Sequence, residues 1–434
     1  MVTFKQPTNS SRRISPSYQS RYILRLTFLL LFTTSGLSNA STLRWYHSYS
    51  GALAEAGRSK KPIFLAFRWA PWGNGRDFDA QVLRTDQNSR RGKLLSQFVL
   101  ARINDMRGID LAKFDFDRHN AVYYFIINSA EDIYLRFGGR NTLSGEAYLN
   151  LESLDQALSL GLSEHQAFEA GKRLTDPKIT PVFPRDVPGL HENVVLRNRC
   201  VECHHIAHFQ TTFAEKNGTL IKKRDMFRYP EFERLGIQID IPKGLIIKET
   251  SSVAEQAGLL SGDLIQSLNH HRILTVADLQ YRLNQVDRDS KTLPVSVFRQ
   301  GRSVSFLIKL PSDWWYTDLI HRNLTVNPLV YFDEKALTVK EKKDLNLDAN
   351  NFASRITHVP VEALLEEAHT LEVGDIIIAV GAQTQDHLGL GAKIHIKLAH
   401  KSGSTLEVTI LRDGQEKILP LKTSRQVFRR VEDE

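Results

Sequence analysis

The chain has 434 residues, a formal net charge of +8 and two cysteines. This length predicts two to four domains, each able to bury its own core. Five basic residues and no acidic residue fall within residues 1–40, so the rest of the chain carries 8 − 5 = +3. So small a surplus argues against a nucleic-acid-binding protein.

Residues 1–40 have the pattern of an export signal. Basic residues precede the apolar run 22–36, and the sequence SNA at 38–40 is similar to an A-x-A cleavage site. The apolar run is short and ends in polar residues, which favours a cleaved signal over a membrane span, with an uncleaved anchor as the alternative. We therefore expect a periplasmic or otherwise extracytoplasmic protein. Two cysteines exclude a framework of several disulfides there.

Residues 42–171 alternate helical and strand patterns. Helices are expected at 50–61 and 153–171, and a helix leads into a strand within 93–105. The remaining predicted strands are residues 62–69, 121–128 and 133–139. This alternation predicts a layered α/β domain.

Residues 172–230 have no sustained periodicity and contain prolines at positions 177, 181, 184 and 188, among others. This composition is typical of a linker that carries a small module. Both cysteines lie in this segment.

From residue 235 onward the chain repeats itself. Residues 261–270 are echoed by 373–382, and 293–310 are echoed by 406–421. A constant offset indicates two copies of one domain, which we place at 231–312 and 325–423. Each copy has a Gly-Asp turn before an apolar strand, an amphipathic helix and a closing hairpin, with Gly301 or Gly414 at the hairpin turn. The fold class is thus multidomain, α/β followed by mainly-β.

The motif C-x-x-C-H occupies Cys200, Cys203 and His204. Its spacing predicts one covalent c-type haem, with both cysteines as thioether attachments and His204 as the proximal iron ligand. The haem also fits an exported protein, because haem is attached outside the cytoplasm. Met226 is the candidate distal ligand, since it is the only methionine after the motif.

Three other interpretations of the motif remain open. The cysteines could form a thiol–disulfide redox pair, because Arg197, Arg199 and His204 would lower the thiol pKa. They could bind zinc with two of His204, His205 and His208, although four ligands within nine residues make a cramped, less favoured site. A static disulfide is the third.

Two stretches resemble bacterial PDZ domains: LGIQI (235–239) and SSVAEQAGLLSGDLI (251–265). The resemblance implies that Leu235, Gly236, Ile237, Gln238 and Ile239 form a carboxylate-binding loop and strand. Gly236 would let the backbone approach a terminal carboxylate, and the peptide would then pair as an added strand. In the second copy the matching stretch, taken as 345–356, has no glycine, so peptide binding there is less expected.

The whole chain, over roughly 43–421, is similar to an exported bacterial family of thioredoxin-like/PDZ proteins, some of which are selenoproteins. The resemblance is carried by the two repeats, the C-x-x-C-H motif and residues 98–117, 134–140, 228–237 and 313–322. It implies a thioredoxin-like first domain. Trp69, Trp72 and Gly75 stand where the family carries cysteine or selenocysteine, and no proline lies between Pro71 and Pro177. A thioredoxin-type reaction needs a reactive thiolate there, so we expect a non-catalytic domain.

The leading hypothesis is an exported protein that binds protein C-termini through its first PDZ copy and transfers electrons or senses redox state through its haem. We do not expect an enzyme, because protease and other catalytic signatures are missing from the sequence. The alternatives are a haem-free scaffold and a thiol oxidoreductase that uses Cys200 and Cys203.

Overall fold

The computed structural model describes residues 43–68, 76–172, 179–317, 319, 322 and 324–426. The predicted signal, and the interpretation of Trp69, Trp72 and Gly75, lie outside the described residues. Within the described part of the chain, no helix is both long and apolar enough to cross a membrane.

The N-terminal α/β domain is built around a five-stranded sheet. Its elements are β1 (Trp45–Tyr46), α1 (Tyr49–Ser59), β2 (Ile63–Arg68), α2 (Arg76–Leu83), α3 (Arg90–Leu95), β3 (Val99–Ile103), β4 (Val122–Ile127), β5 (Ile133–Gly138) and α4 (Leu151–Glu169). The strand order is β1-β3-β2-β4-β5. Strands β1 and β2 run parallel to β3, whereas β4 and β5 are antiparallel additions.

Strand β2 shows why the sheet has helices on both faces. Ile63, Leu65 and Phe67 pack into one hydrophobic cluster with α1, and Phe64 and Ala66 pack into another with α4. Alternate side chains of a strand point to opposite faces, so a strand that is apolar throughout must be covered twice. The predicted layered α/β architecture is present. The more specific thioredoxin-like assignment stays a prediction.

The segment that precedes the first repeat is not a free linker. It contains α5 (Cys203–Lys216) and α6 (Lys222–Asp225). Val187, Leu190, Val194 and Ile206 are almost fully buried in the same cluster as the odd-numbered side chains of β2. Their spacing follows neither a helical nor a strand period for long, which is why the sequence suggested a linker.

The first repeat contains two small sheets. Its elements are β6 (Ile237–Ile239), β7 (Ile247–Thr250), α7 (Ser252–Gln256), β8 (Leu264–Leu268), β9 (His271–Arg272), α8 (Val276–Asn284), β10 (Thr292–Arg299) and β11 (Arg302–Lys309). Strand β6 pairs with β7, and the other strands form a sheet in the order β11-β10-β8-β9.

The second repeat forms one five-stranded sheet in the order β12-β13-β14-β15-β16. Its elements are β12 (Asp333–Ala336), α9 (Val339–Asp344), β13 (Ser354–His358), α10 (Glu362–Leu365), β14 (Ile376–Val380), α11 (Gly391–Ala399), β15 (Thr405–Arg412) and β16 (Gln415–Lys422). Lys222 of α6 donates to the carbonyl oxygens of Lys397 and His400, at the C-terminal end of α11.

The two repeats share an ion pair between a partly exposed arginine and a buried aspartate, which the sequence comparison did not single out. In the first, Arg299 binds both oxygens of Asp263, at 2.6 Å each. In the second, Arg412 binds both oxygens of Asp375, at 2.7 Å each. Each aspartate belongs to the Gly-Asp turn and each arginine ends the first strand of the closing hairpin. In both copies this ion pair joins the Gly-Asp turn to the closing hairpin.

Helix α8 of the first repeat covers the exposed edge of β5. Thr275 Oγ1 donates to the carbonyl oxygen of Arg136 at 2.5 Å, and the Arg136 backbone N–H donates to Asp278 Oδ1 at 3.2 Å. The Arg136 guanidinium also lies 3.5 Å from Asp278 and 3.6 Å from the ring centre of Tyr281. An edge strand presents unpaired backbone groups, and here another domain satisfies them.

Replacement of Asp278 tests this junction. We expect Asp278→Ala to lower the free energy of unfolding by about 3–5 kcal/mol. The change leaves the buried Arg136 guanidinium without its carboxylate partner and the Arg136 backbone N–H without an acceptor. Urea denaturation measures the loss. Asp289→Ala is the matched control, since the Asp289 side chain is 75% exposed, and it should leave the free energy of unfolding unchanged. A similar effect of both variants would contradict the assignment.

Candidate functional site

The segment with both cysteines is tied to the loop that follows β3. The Val201 backbone N–H donates to Asp105 Oδ1 at 3.0 Å, and the Met106 N–H donates to the Val201 carbonyl at 2.9 Å. Arg107 donates to the Arg199 carbonyl at 2.8 Å. These bonds fix the chain just before α5, so that Cys203 becomes the first residue of that helix.

The two thiols lie at different depths and are not joined by a disulfide. Cys200 is exposed, whereas Cys203 is 4% exposed and its Sγ lies 3.2 Å from Met106 Sδ. Burial raises the pKa of the Cys203 thiol to about 11, although the nearby Arg118 guanidinium opposes this shift. Cys203 is therefore a neutral, packed side chain at neutral pH, and only Cys200 is accessible to a reagent in solution.

The histidines after Cys203 have separate surroundings. The ligand atoms of Glu202, His204 and His205 lie within 4.8 Å of one another. His208 is buried, with Nδ1 3.3 Å from Thr325 Oγ1. Burial lowers the pKa of both His205 and His208 to about 4. The Cys203 sulfur faces Met106 instead, so the zinc set considered from the sequence is not gathered in one place.

Met226 is buried in the hydrophobic cluster of the first repeat, apart from the cluster that holds Cys203. It lines a cavity of about 410 Å³, one wall of which is α5. Ala207, Gln210 and Ala214 of that wall continue the helix face on which Cys203 begins. Neither cysteine, nor His204, belongs to the cavity lining.

This arrangement does not fit a haem held by both cysteines. Two thioether bonds require both sulfur atoms at the haem edge, with the adjacent histidine at the iron. Cys203 Sγ is packed against Met106 instead, and Met226 lies at a cavity that neither thiol reaches. The haem stays a prediction from the motif, and a haem-free chain agrees better with the described packing.

The mass of the mature protein decides this question. After expression with its signal and a c-type maturation system, we expect the mass of the chain alone and no Soret band, because Cys203 is not available for attachment. A Cys200→Ser variant should give the same spectrum. An added haem mass in the wild type, lost in that variant, would contradict the expectation.

Thiol alkylation tests the difference in burial between Cys200 and Cys203. In the native protein we expect iodoacetamide to label Cys200 quickly and Cys203 only after unfolding, because Cys203 is both buried and neutral. Peptide mass mapping measures the label at each site. Raising the pH from 7 to 9 should not make Cys203 reactive, since the pKa of its thiol, about 11, lies above that range. Equal labelling of both residues in the native protein would show that the Cys203 packing is wrong.

In the first repeat, Gly236 occupies a position that only glycine fits. Its φ is +75°, and a Cβ there would lie 1.9 Å from the Ser251 carbonyl oxygen. The Ser251 N–H donates to the Gly236 carbonyl at 2.9 Å. Strand β6 begins at the next residue. Within the described part of the chain, β6 pairs with β7 along one edge only.

The loop before β6 is braced from two sides. Arg234 pairs with Asp313 at 2.8 Å, and Tyr148 of the N-terminal domain donates to the Glu233 carboxylate at 2.9 Å. Burial raises the pKa of Glu233 to about 7. Of the five residues considered from the sequence, Gln238 is exposed, whereas Leu235, Ile237 and Ile239 are almost fully buried. The candidate loop is thus rigidly held at the start of an unpaired strand edge.

The second repeat differs from the sequence-based expectation. The strand that corresponds to β6 is β12, so the equivalent loop precedes Asp333 and is not residues 345–356. The residue directly before β12 is Phe332, where the first copy has glycine. The Glu334 carboxylate accepts a hydrogen bond from the Lys393 N–H at 2.8 Å, at the start of α11. This bond joins β12 directly to α11.

Comparisons with known proteins are limited. No family model and no curated protein matches the chain. Two similar solved structures are the HtrA-type protease AlgW with tripeptide and with decapeptide, at 14% and 16% identity and TM-scores of 0.23 and 0.20. They match 42% and 32% of this chain and 59% and 42% of theirs. Another is the PDZ domain of EpsC from Vibrio cholerae, at 19% identity and a TM-score of 0.15, matched over 24% of this chain and 99% of that one.

The chain therefore spans between two fifths and three fifths of the AlgW structures. TM-scores this low do not assign a fold to the chain, so the architecture given above rests on the chain's own sheets and helices.

Proposed function

We propose that this chain is a binding protein that takes the C-terminal end of another protein or peptide into its first repeat. The observation that carries the proposal is the unpaired edge of β6, which starts directly after Gly236. A terminal carboxylate would meet the backbone N–H groups of the braced loop, and the preceding peptide residues would pair with β6 as an added strand.

The short length of β6 limits what can be recognised. Three residues at about 3.3 Å each span roughly 10 Å, enough for the last three or four residues of a partner. Beyond β6 the chain turns toward α4, where Gln156 Nε2 donates to the Pro242 carbonyl at 2.8 Å. The partner is thus a short C-terminal segment.

The other parts of the protein have supporting roles in this proposal. The second repeat, with β12 bonded to α11, acts as a spacer. Export and a periplasmic location remain predictions from residues 1–40. Electron transfer by a haem, predicted from the C-x-x-C-H motif, is not part of this proposal.

Thiol exchange is a second candidate function. An exposed thiol three residues before a buried thiol at a helix start suits a reaction in which the first attacks a disulfide and the second releases the product. Reduction of insulin that is lost in Cys203→Ser would support it. Absence of insulin reduction by the wild-type protein would rule out thiol exchange.

Peptide binding is tested with C-terminal peptides of four and eight residues. We expect similar dissociation constants for both lengths and a loss of at least about tenfold when the carboxylate is amidated. Gly236→Ala should weaken binding to a comparable degree, because its Cβ displaces the loop at Ser251. Isothermal titration calorimetry measures each constant.

Gly262→Ala is the matched control for that variant. Gly262 also has a positive φ, of +88°, but a Cβ there meets no atom within 4 Å. It should therefore carry the strain of a positive φ without a steric clash, and keep peptide affinity. Equal binding of free and amidated peptides would overturn the proposed mode, whatever the variants do.

A further inference from the structure

Three side chains at the start of α5 have the donor types of a transition-metal site. They belong to Glu202, His204 and His205, and each offers one ligand atom, a carboxylate oxygen or an imidazole nitrogen. Within the described part of the chain, this is the one group of three or more histidine, cysteine, aspartate or glutamate side chains whose ligand atoms are gathered closely enough to share an ion. The C-x-x-C-H motif does not point to Glu202, which lies between its two cysteines.

The backbone fixes the positions of these three residues. Glu202 is the N-cap of α5, with extended φ and ψ of −94° and 154°, and its carbonyl accepts a hydrogen bond from the Ile206 N–H at 3.3 Å. Cys203 and Ile206 are buried against the N-terminal sheet and hold the first turn in place. His204 and His205 lie beside this buried face and are partly exposed. Ligands on a packed helix keep their geometry better than ligands on a loop.

The Glu202 side chain does not cap the helix that it precedes. An N-cap side chain usually accepts a hydrogen bond from a backbone N–H of the first turn, and Glu202 makes no such bond. Its Oε2 lies 3.5 Å from His204 Nδ1 instead. Two ligand atoms that bind one tetrahedral zinc ion at roughly 2.0–2.2 Å are about 3.3–3.6 Å apart. The oxygen and the nitrogen are thus spaced as two ligands of one ion.

The second histidine borders the same space, and the cluster is open to solvent. The ring centres of His204 and His205 are 4.4 Å apart. The Glu202 and His204 side chains are 23% and 19% exposed, so an ion can enter from the solvent. The positive charge of Arg199 acts on His205 and opposes a bound cation, but the Glu202 carboxylate brings the opposite charge into the cluster.

We propose that Glu202, His204 and His205 bind one divalent ion of the zinc class, meaning Zn²⁺, Co²⁺, Ni²⁺ or Cu²⁺. Two imidazoles favour these ions over Mg²⁺ and Ca²⁺, which take oxygen ligands. Two histidines and one glutamate are a known three-ligand set for zinc, in which water or another ligand takes the fourth position. The site uses neither cysteine and shares no residue with the peptide edge at β6.

Titration of the full mature chain with cobalt chloride tests the site, because the visible spectrum of Co²⁺ reports its ligands. We expect one Co²⁺ per chain, displaced by Zn²⁺. The spectrum should lack the sulfur-to-cobalt charge-transfer band of a thiolate ligand, and Cys200→Ser should leave it unchanged. Absence of binding at one ion per chain would overturn the proposal, as would a charge-transfer band that Cys200→Ser removes.

Replacement of a ligand should weaken zinc binding. We expect His204→Ala and Glu202→Gln each to raise the dissociation constant for Zn²⁺ at least about tenfold, since even changes next to metal ligands have effects of this size. Isothermal titration calorimetry measures each constant, and circular dichroism should show an unchanged fold because both side chains are partly exposed.

His358→Ala is the matched control for these variants. His358 Nδ1 also lies 3.5 Å from a carboxylate oxygen, Oδ2 of Asp333, but the pair has no third ligand among the described residues. This variant should keep the zinc affinity of the wild type. Unchanged affinity in both His204→Ala and Glu202→Gln would show that these side chains do not hold the ion, and an equal loss in His358→Ala would contradict the site as well.

Discussion

The arrangement of the described chain depends on the contact between one edge-strand residue and the first turn of one helix. The N–H and the carbonyl of Arg136 are both satisfied by side chains of the first repeat, Asp278 and Thr275. Thr275 is also the N-cap of α8, where it accepts a hydrogen bond from the Asp278 N–H. The same two side chains thus start a helix in one domain and complete a sheet in another. This joins the N-terminal domain to the first repeat, together with apolar contacts such as Tyr148 in the cluster of the first repeat and Ala277 in the cluster of the N-terminal sheet.

Local features of the fold could be predicted from the sequence because their signals are local. The apolar run of β2, the helix of α4 and the hairpin turns at Gly301 and Gly414 all depend on residues close together in the chain. The junction of α8 with β5 could not be predicted, since Arg136 and Asp278 are 142 residues apart. The packing of residues 179–230 could not be predicted either, since their scattered apolar side chains are buried only by contact with the distant sheet.

The C-x-x-C-H motif also shows that contacts with residues far away in the sequence cannot be predicted from a local pattern. Its spacing places two thiols and a histidine close in sequence, which suggested a haem. Their depth is set by Asp105 and Met106, which bind Val201 between the two cysteines, and no pattern near the motif reveals those partners.

Helices α5 and α6 also hold the far end of the chain. Lys222 caps the C-terminal end of α11, and Glu215 pairs with Arg425 at 2.8 Å, beyond β16. The second repeat is therefore bound by residues that precede the first repeat, and the chain closes on itself. Cleavage of the backbone between the repeats would leave these two contacts in place, so they would oppose separation of the fragments.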